Sequence, residues 1–331
     1  MQILSNNELI IAKDELDNGN LVIFPTETVY GLGANALNSN SVDKIFKAKN
    51  RASNNPLIVH LKNKNEITKY AFICNEIEQK LIDAFMPGPF TLILKKKDII
   101  PNNVTCNLDT VGIRVPIDSI AHNLLDLLDY PIAAPSANVS SKPSGTNVSD
   151  IIPEFDGKVE YIIDGGDSRI GLESTVCKVI DNVPTILRPG FITKEDIELV
   201  VGNCNVSEFV MKEAKGIVES PGMLYKHYSP NTKCILVDSS LILNTSKKYS
   251  KAIVIGSSNV ANDNYYKFFN YGDDLVSVAH NIFKLLREAD KEDGEVILIE
   301  AVKPIGLGLA IMNRLIRTCE YNYIKRENED K

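Results

Sequence analysis

No apolar run in the 331-residue sequence approaches the ~20 residues needed to cross a bilayer, so a membrane-spanning protein is not expected. The six cysteines, Cys74, Cys106, Cys177, Cys204, Cys234 and Cys319, form no CxxC pair, and no His–Cys cluster accompanies them. Such spacing argues against a zinc site and against a disulfide framework, and they read as reduced thiols. No metal site is expected. The opening residues MQILSNNELIIAKDELDNGN carry acids early and lack a basic flank and a small-residue cleavage site. They do not read as a signal peptide, and a cytoplasmic location is the expectation. Positive charge is not in excess: 36 Lys and Arg stand against 43 Asp and Glu, a net charge of −7. Stable nucleic-acid binding is therefore not expected, although a local basic cleft stays open. GxxxxGK[ST], GxSxG and HExxH are all missing, which excludes a P-loop enzyme, a nucleophile elbow and a zincin. There is no internal repeat and no low-complexity tract.

What is present describes a folded chain. Hydrophobic residues make up 44% and charged residues 24%, which excludes a wholly disordered protein. The length suggests about two domains at ~150 residues each. Ser5 and Glu8 stand at capping-box spacing ahead of a helix that would stop at Gly19. LVIF, PLIVHL, FTLILKKK, TVGIRVP, PIAAPS and VEYIIDGG read as strands, with helices over 41–49, 76–85 and 119–128 between them. TVCKVID and PTILRPG read as a hairpin turning at Asn182-Val183, followed by a helix capped by Thr193. Residues 204–231 have linker composition but are aromatic. Beyond them, CILVD, KAIVIG and EVILIEAV alternate with two amphipathic helices. The expected architecture is α/β. A first domain over 1–203 carries a mixed sheet, residues 204–231 form a linker and lid, and a smaller parallel α/β domain covers 232–331.

Five segments hold residues suited to chemistry. PTETVYGLG, Pro25 to Gly33, follows a strand; it is a ligand loop or a turn with capping hydroxyls. KAKNRASNNPLIVH places Lys47, Lys49 and Arg51 at a helix end, as an anion clamp or as cations on the helix dipole. His60 in the same segment is a strand histidine, more often structural. DTVGIRVP buries Arg114 in an apolar strand, where it needs either a ligand carboxylate or an internal acid. APSANVSSKPSG offers small donors around two prolines. ESTV and LRPG add Ser174, Thr175 and Arg188. GLGLA at 306–310 is a partial glycine pattern ahead of a helix, and weak alone.

In this order the motifs resemble the YrdC-like family. With the linker SPGMLYKHYSP and the following α/β domain, the chain resembles its long two-domain branch, the L-threonylcarbamoyladenylate synthases. The resemblance covers essentially the whole chain. It implies an open twisted mixed sheet of the YrdC/RibB-like kind, followed by a smaller Rossmann-like parallel domain. It implies an enzyme that makes threonylcarbamoyl-AMP from L-threonine, bicarbonate or CO2, and ATP with Mg²⁺, releasing pyrophosphate. The product would pass to a tRNA threonylcarbamoyl-transferase complex that modifies adenosine 37 of tRNAs reading ANN codons. By the same resemblance, Lys49 and Arg51 would be catalytic. Thr28, His60, Arg114, Ala134 and Ser174 would contact L-threonine. Arg51, Asn55, Thr110, Ser136, Ser144, Arg188, Tyr225, His227 and Tyr228 would contact ATP. The family's usual KGRP is here Lys49-Asn50-Arg51-Ala52, and Asn replaces Gly readily where φ is positive.

Three other readings stand beside this one. An RNA-binding module is disfavoured by the net charge. Carbamoyl transfer of the hydrogenase-maturation type needs further modules and CxxC motifs that this chain lacks. The second domain as a scaffold stays open.

Overall fold

The computed structural model describes residues 1–212 and 228–326. They fall into two units, 1–140 with 144–212 and 141–143 with 228–326. Tyr225 and His227 lie outside the described residues, as does most of the expected lid.

The first unit is built on one twelve-stranded mixed sheet. Its order runs Gln2–Leu4, Tyr161–Ile163, Val22–Phe24, Gly31–Asn35, Ile132–Ala133, Ile58–His60, Thr110–Arg114, Phe90–Lys96, Thr175–Ile180, Val183–Arg188, Asn205–Val206, with Ala71–Phe72 beside Phe90–Lys96. Strand alternation sends neighbours to opposite faces. Ile23, Val59, Leu92 and Ile113 enter the main core with Val42, Ile45, Leu81, Ile151 and Ile197 from four helices. Val22, Phe24 and Ile132 enter a second core with Leu9, Leu16, Leu124 and Leu125. His60, Thr91 and Arg114, each next to a main-core residue, therefore stand on the face away from that core.

Helix ends follow the sequence chemistry. Ser5 and Glu8 form the expected capping box, and Asn38, Asn75, Asp118 and Thr193 cap the helices that follow them. Asn50 ends the helix Ser39–Lys49 with φ 49°, a left-handed conformation that asparagine adopts more readily than most residues. Two expectations need correction. The hairpin turns one residue earlier, on Asp181 and Asn182, both at positive φ, because such a turn needs left-handed residues and β-branched Val183 resists that conformation. Residues Val148–Phe155 form a helix that Pro153 concealed, and Asn147 caps it.

The second unit is a five-stranded sheet, all parallel, in the order Lys267–Asn270, Ala252–Gly256, Val296–Glu300, Cys234–Val237, Tyr323–Ile324. The inner strands are fully buried, as parallel strands covered on both faces must be. Glu300 ends the central strand and is 6% exposed. Its carboxylate accepts from Ser239 Oγ at 2.6 Å, the Ser257 amide at 2.6 Å and Tyr271 Oη at 2.8 Å. These three residues follow the other three main strands, so one side chain ties four carboxyl ends together. Glu300→Ala leaves three donors without an acceptor, at about 1–3 kcal/mol each. We expect the second unit's melting transition to fall well below its wild-type position while the first unit's transition holds, as read by calorimetry. An unchanged second transition would count against this role.

Candidate active site

The functional side chains gather over the sheet face that turns away from the main core. His60 and Arg114 are register partners on adjacent parallel strands, and Thr91 faces Arg114 on the next strand. Ser174 Oγ lies 2.8 Å from Thr91 Oγ1. Arg188 donates to the Ser174 carbonyl from Nε at 3.2 Å and from an η nitrogen at 3.0 Å, and to Ser174 Oγ at 3.2 Å. Ala134 joins His60's strand through its amide, which donates to the Ile58 carbonyl at 2.9 Å.

The loop after strand Val22–Phe24 brings Glu27 and Thr28. Arg114 donates to Glu27 Oε1 at 2.6 Å, and both side chains are buried. An internal acid thus meets this arginine, one of the two partners the sequence allowed. The pair is only half satisfied. Arg114 Nε and Glu27 Oε2 are buried and without hydrogen-bond partners. Each such group costs about 1–3 kcal/mol in the folded protein. One lacks an acceptor and the other lacks a donor. A zwitterionic amino acid carries both, a carboxylate for Nε and an amine for Oε2. Thr28 sits beside them, with its hydroxyl 2.8 Å from Thr26 Oγ1. Thr26 gives its own proton to the Val29 carbonyl at 2.6 Å, so Thr28 is the donor in that contact.

His60 is neutral. Burial and the Arg114 charge push its pKa down to about 3. Nδ1 lies 3.2 Å from the Ile58 carbonyl. The folded pKa is below the unfolded ~6.5, so the unfolded chain takes up a proton first as pH falls. Stability from this group is complete above pH ~6.5 and is lost below it, at ~1.4 kcal/mol per pH unit. Denaturant unfolding between pH 6.5 and 4.5 should show a slope that His60→Gln reduces by about that amount. Equal slopes for the two proteins would contradict it.

A second group surrounds the first. Lys49 is 1% exposed, and its amine donates to the carbonyls of Ser136, at 2.5 Å, and Asn138. It is thus not a surface cation on the helix dipole; it pins the loop 134–138. Burial, then the neighbouring Arg51 charge, hold its pKa well below the ordinary lysine range. Ser136 Oγ donates to Asn138 Oδ1 at 2.6 Å. Ser144 Oγ donates to Glu173 Oε1 at 2.6 Å, next to Ser174 in the chain. Arg51 follows Asn50. Its guanidinium donates to the Asn55 carbonyl at 3.3 and 3.2 Å and to the Pro56 carbonyl at 3.2 Å. Asn55 Oδ1 is buried and has no partner.

Thr28, His60, Arg114, Ala134 and Ser174 therefore come together, with Arg188, Ser144, Ser136 and Lys49 joined around them. Thr110 opens the strand that Arg114 ends, four residues earlier and on the same face of the sheet. Tyr228 belongs to the second unit, where its ring stacks on Phe283 with centroids 5.1 Å apart. Glu27 and Thr91 escaped the sequence reading. Glu27 lies inside the PTET motif already singled out, and Thr91 is a hydroxyl in the buried, otherwise apolar run 90–94 of its strand.

Two buried polar atoms left unmet on an open sheet face make a place for a ligand in this two-unit α/β protein. A family model described as "Telomere recombination" matches residues 14–190, and one described as "Threonylcarbamoyl-AMP synthase, C-terminal domain" matches residues 192–319. The threonylcarbamoyl-AMP synthase of Pyrococcus abyssi is 42% identical over 325 residues, covering 95% of each chain. That of Bacillus subtilis is 39% identical over 326 residues, covering 95% of this chain and 94% of the other. The crystal structure of P. abyssi Sua5 complexed with L-threonine superposes with a TM-score of 0.93 at 40% identity, covering 99% of this chain and all of that one. Escherichia coli YciO, 23% identical, shares the fold of the first unit with a TM-score of 0.51, covering 57% of this chain and 95% of that one. The chain belongs to the two-domain threonylcarbamoyl-AMP synthase family. No helix among the described residues is long and apolar enough to cross a membrane.

Proposed function

We propose that this enzyme makes threonylcarbamoyl-AMP from L-threonine, bicarbonate or CO2, and ATP, with release of pyrophosphate. The observation that carries the reading is the half-satisfied Arg114–Glu27 pair, which lacks one acceptor and one donor. L-threonine supplies both, and its hydroxyl would be met by the cluster of Thr28, Thr91 and Ser174. The P. abyssi relative was crystallised with L-threonine.

The chemistry needs no enzyme nucleophile. The threonine ammonium first gives a proton to solvent; the neutral amine then attacks the carbon of CO2 and releases a second proton to solvent, giving a carbamate. A carbamate oxygen then attacks the α-phosphorus of ATP, the bond to the β-phosphate oxygen breaks, and pyrophosphate leaves. Catalysis rests on holding the amino acid beside the triphosphate and offsetting phosphate charge. Arg51 and Arg188 would meet the phosphates, with Lys49 and Ser136 shaping the loop beneath. Ser144 and Asn55 would add neutral contacts, and Thr110 would need to reach the nucleotide from the strand's far end. Mg²⁺ would enter on the triphosphate, as part of the substrate. The product would serve a tRNA threonylcarbamoyl-transferase complex acting on adenosine 37 of tRNAs that read ANN codons, in the cytoplasm.

Incubation with ATP, Mg²⁺, bicarbonate and L-threonine should yield a species of threonylcarbamoyl-AMP mass with pyrophosphate in equal amount. Omitting threonine should abolish both. Valine should be a poor substitute, because a site that hydrogen-bonds a hydroxyl can reject the analogue lacking it by up to ~10⁴-fold. Adenylate formation that ignores threonine would overturn the reading.

A further inference from the structure

The second unit has a ligand crevice of its own, and nothing in the proposed reaction uses it. In its sheet, strands Cys234–Val237 and Val296–Glu300 are neighbours. The chain leaves the first of them toward Ala252–Gly256 on one side, and leaves the second toward Tyr323–Ile324 on the other. Right-handed crossovers in opposite directions place the two connections on opposite faces. The carboxyl ends of two such strands part around a crevice, the position where open parallel sheets bind ligands.

A hollow of about 290 Å³ lies there. Asp238, Ser239 and Ser240 line it from the first connection, Lys303 from the second, Tyr323 from the last strand and Arg326 from just beyond that strand. Its charges are unbalanced. Neither the Lys303 ammonium nor the Arg326 guanidinium meets a carboxylate among the described residues. The single acid, Asp238, has both oxygens engaged, Oδ1 by Tyr323 Oη at 2.5 Å and Oδ2 by the Arg326 amide at 2.7 Å. An incoming anion thus meets two cations and an acid already covered by donors.

The walls are held in place. Glu300 fixes Ser239 at 2.6 Å. GLGLA, the glycine pattern left without a use, follows strand Val296–Glu300 and opens helix Leu307–Thr318. A Cβ on Gly308 would lie 2.0 Å from the Lys303 carbonyl, so only glycine lets the helix close against the loop that carries Lys303.

We propose that this crevice binds a small phosphate monoester, no larger than a nucleoside monophosphate. Lys303 and Arg326 take the phosphate, and the Ser240 hydroxyl takes the polar body. This site is independent of the reaction proposed for the first unit.

The test uses the full chain. Lys303 acetylation by an amine-reactive reagent is followed by peptide mass spectrometry, with AMP, ribose 5-phosphate or inorganic phosphate at millimolar concentration. A bound ligand at ~10 times its Kd should slow modification of Lys303 about tenfold, while exposed Lys247 is unaffected. Arg326→Glu should abolish the protection, and Arg51→Ala in the first unit should leave it intact. Protection by all three probes assigns recognition to the phosphate group, and protection by AMP alone narrows the class to nucleotides. No protection by any probe overturns the proposal. So does protection that survives Arg326→Glu, or that disappears with Arg51→Ala.

Discussion

Arg51→Ala will lower pyrophosphate release at saturating L-threonine and ATP by ~10²-fold or more, with the melting temperature almost unchanged. Arg51 is half-buried, so the fold does not depend on it as it does on Arg114. Its guanidinium plane is nevertheless set, because Nε and an η nitrogen share the Asn55 carbonyl and the same η nitrogen reaches Pro56. An arginine oriented before substrate arrives loses little entropy when phosphate binds, which makes it effective against charge that builds during transfer. Asn50 directly before it, at φ 49°, turns the chain so that the helix ends and Arg51 begins a new direction. Near-normal pyrophosphate release by a folded Arg51→Ala protein would remove Arg51 from the mechanism.

Arg114→Lys will weaken L-threonine binding by ~100-fold while leaving ATP binding within a few-fold of wild type. Lysine keeps a positive charge beside Glu27, so the buried acid still has a counter-charge and the fold survives. It offers one point of contact where the guanidinium offers a planar fork, and the unmet Nε–H is gone. Arg114→Ala is the harsher change. It strands Glu27 in the interior, which costs about 3–5 kcal/mol and confounds any binding measurement. Calorimetric titration of Arg114→Lys with each substrate separates the cases. Equal losses for threonine and ATP would show that Arg114 holds the site together and does not grip the amino acid.

Much of the first unit was legible because strand alternation and capping chemistry are local. Ile58-Val59-His60 and Ile113-Arg114 announce which residue goes to the core and which does not, and Asn38, Asp118 and Thr193 announce helix starts. What was hidden is long-range. Glu27 and Arg114 are 87 residues apart in sequence, and nothing local to either names the other. Lys49 looked like one of three cations at a helix end. Only the folded loop 134–138 shows that Lys47 stays at the surface while Lys49 is drawn inside. Strand Lys267–Asn270 escaped because, at the edge of its sheet, it shows no fully buried residue.

The unmet atoms on Arg114 and Glu27 bear on how long each molecule lasts. Whatever zwitterion completes the pair binds the native form and not the unfolded chain, so it shifts the folding balance by mass action. The resting enzyme is then the fragile one. Under the proposed function, a shortage of that amino acid would leave more copies to cellular quality control.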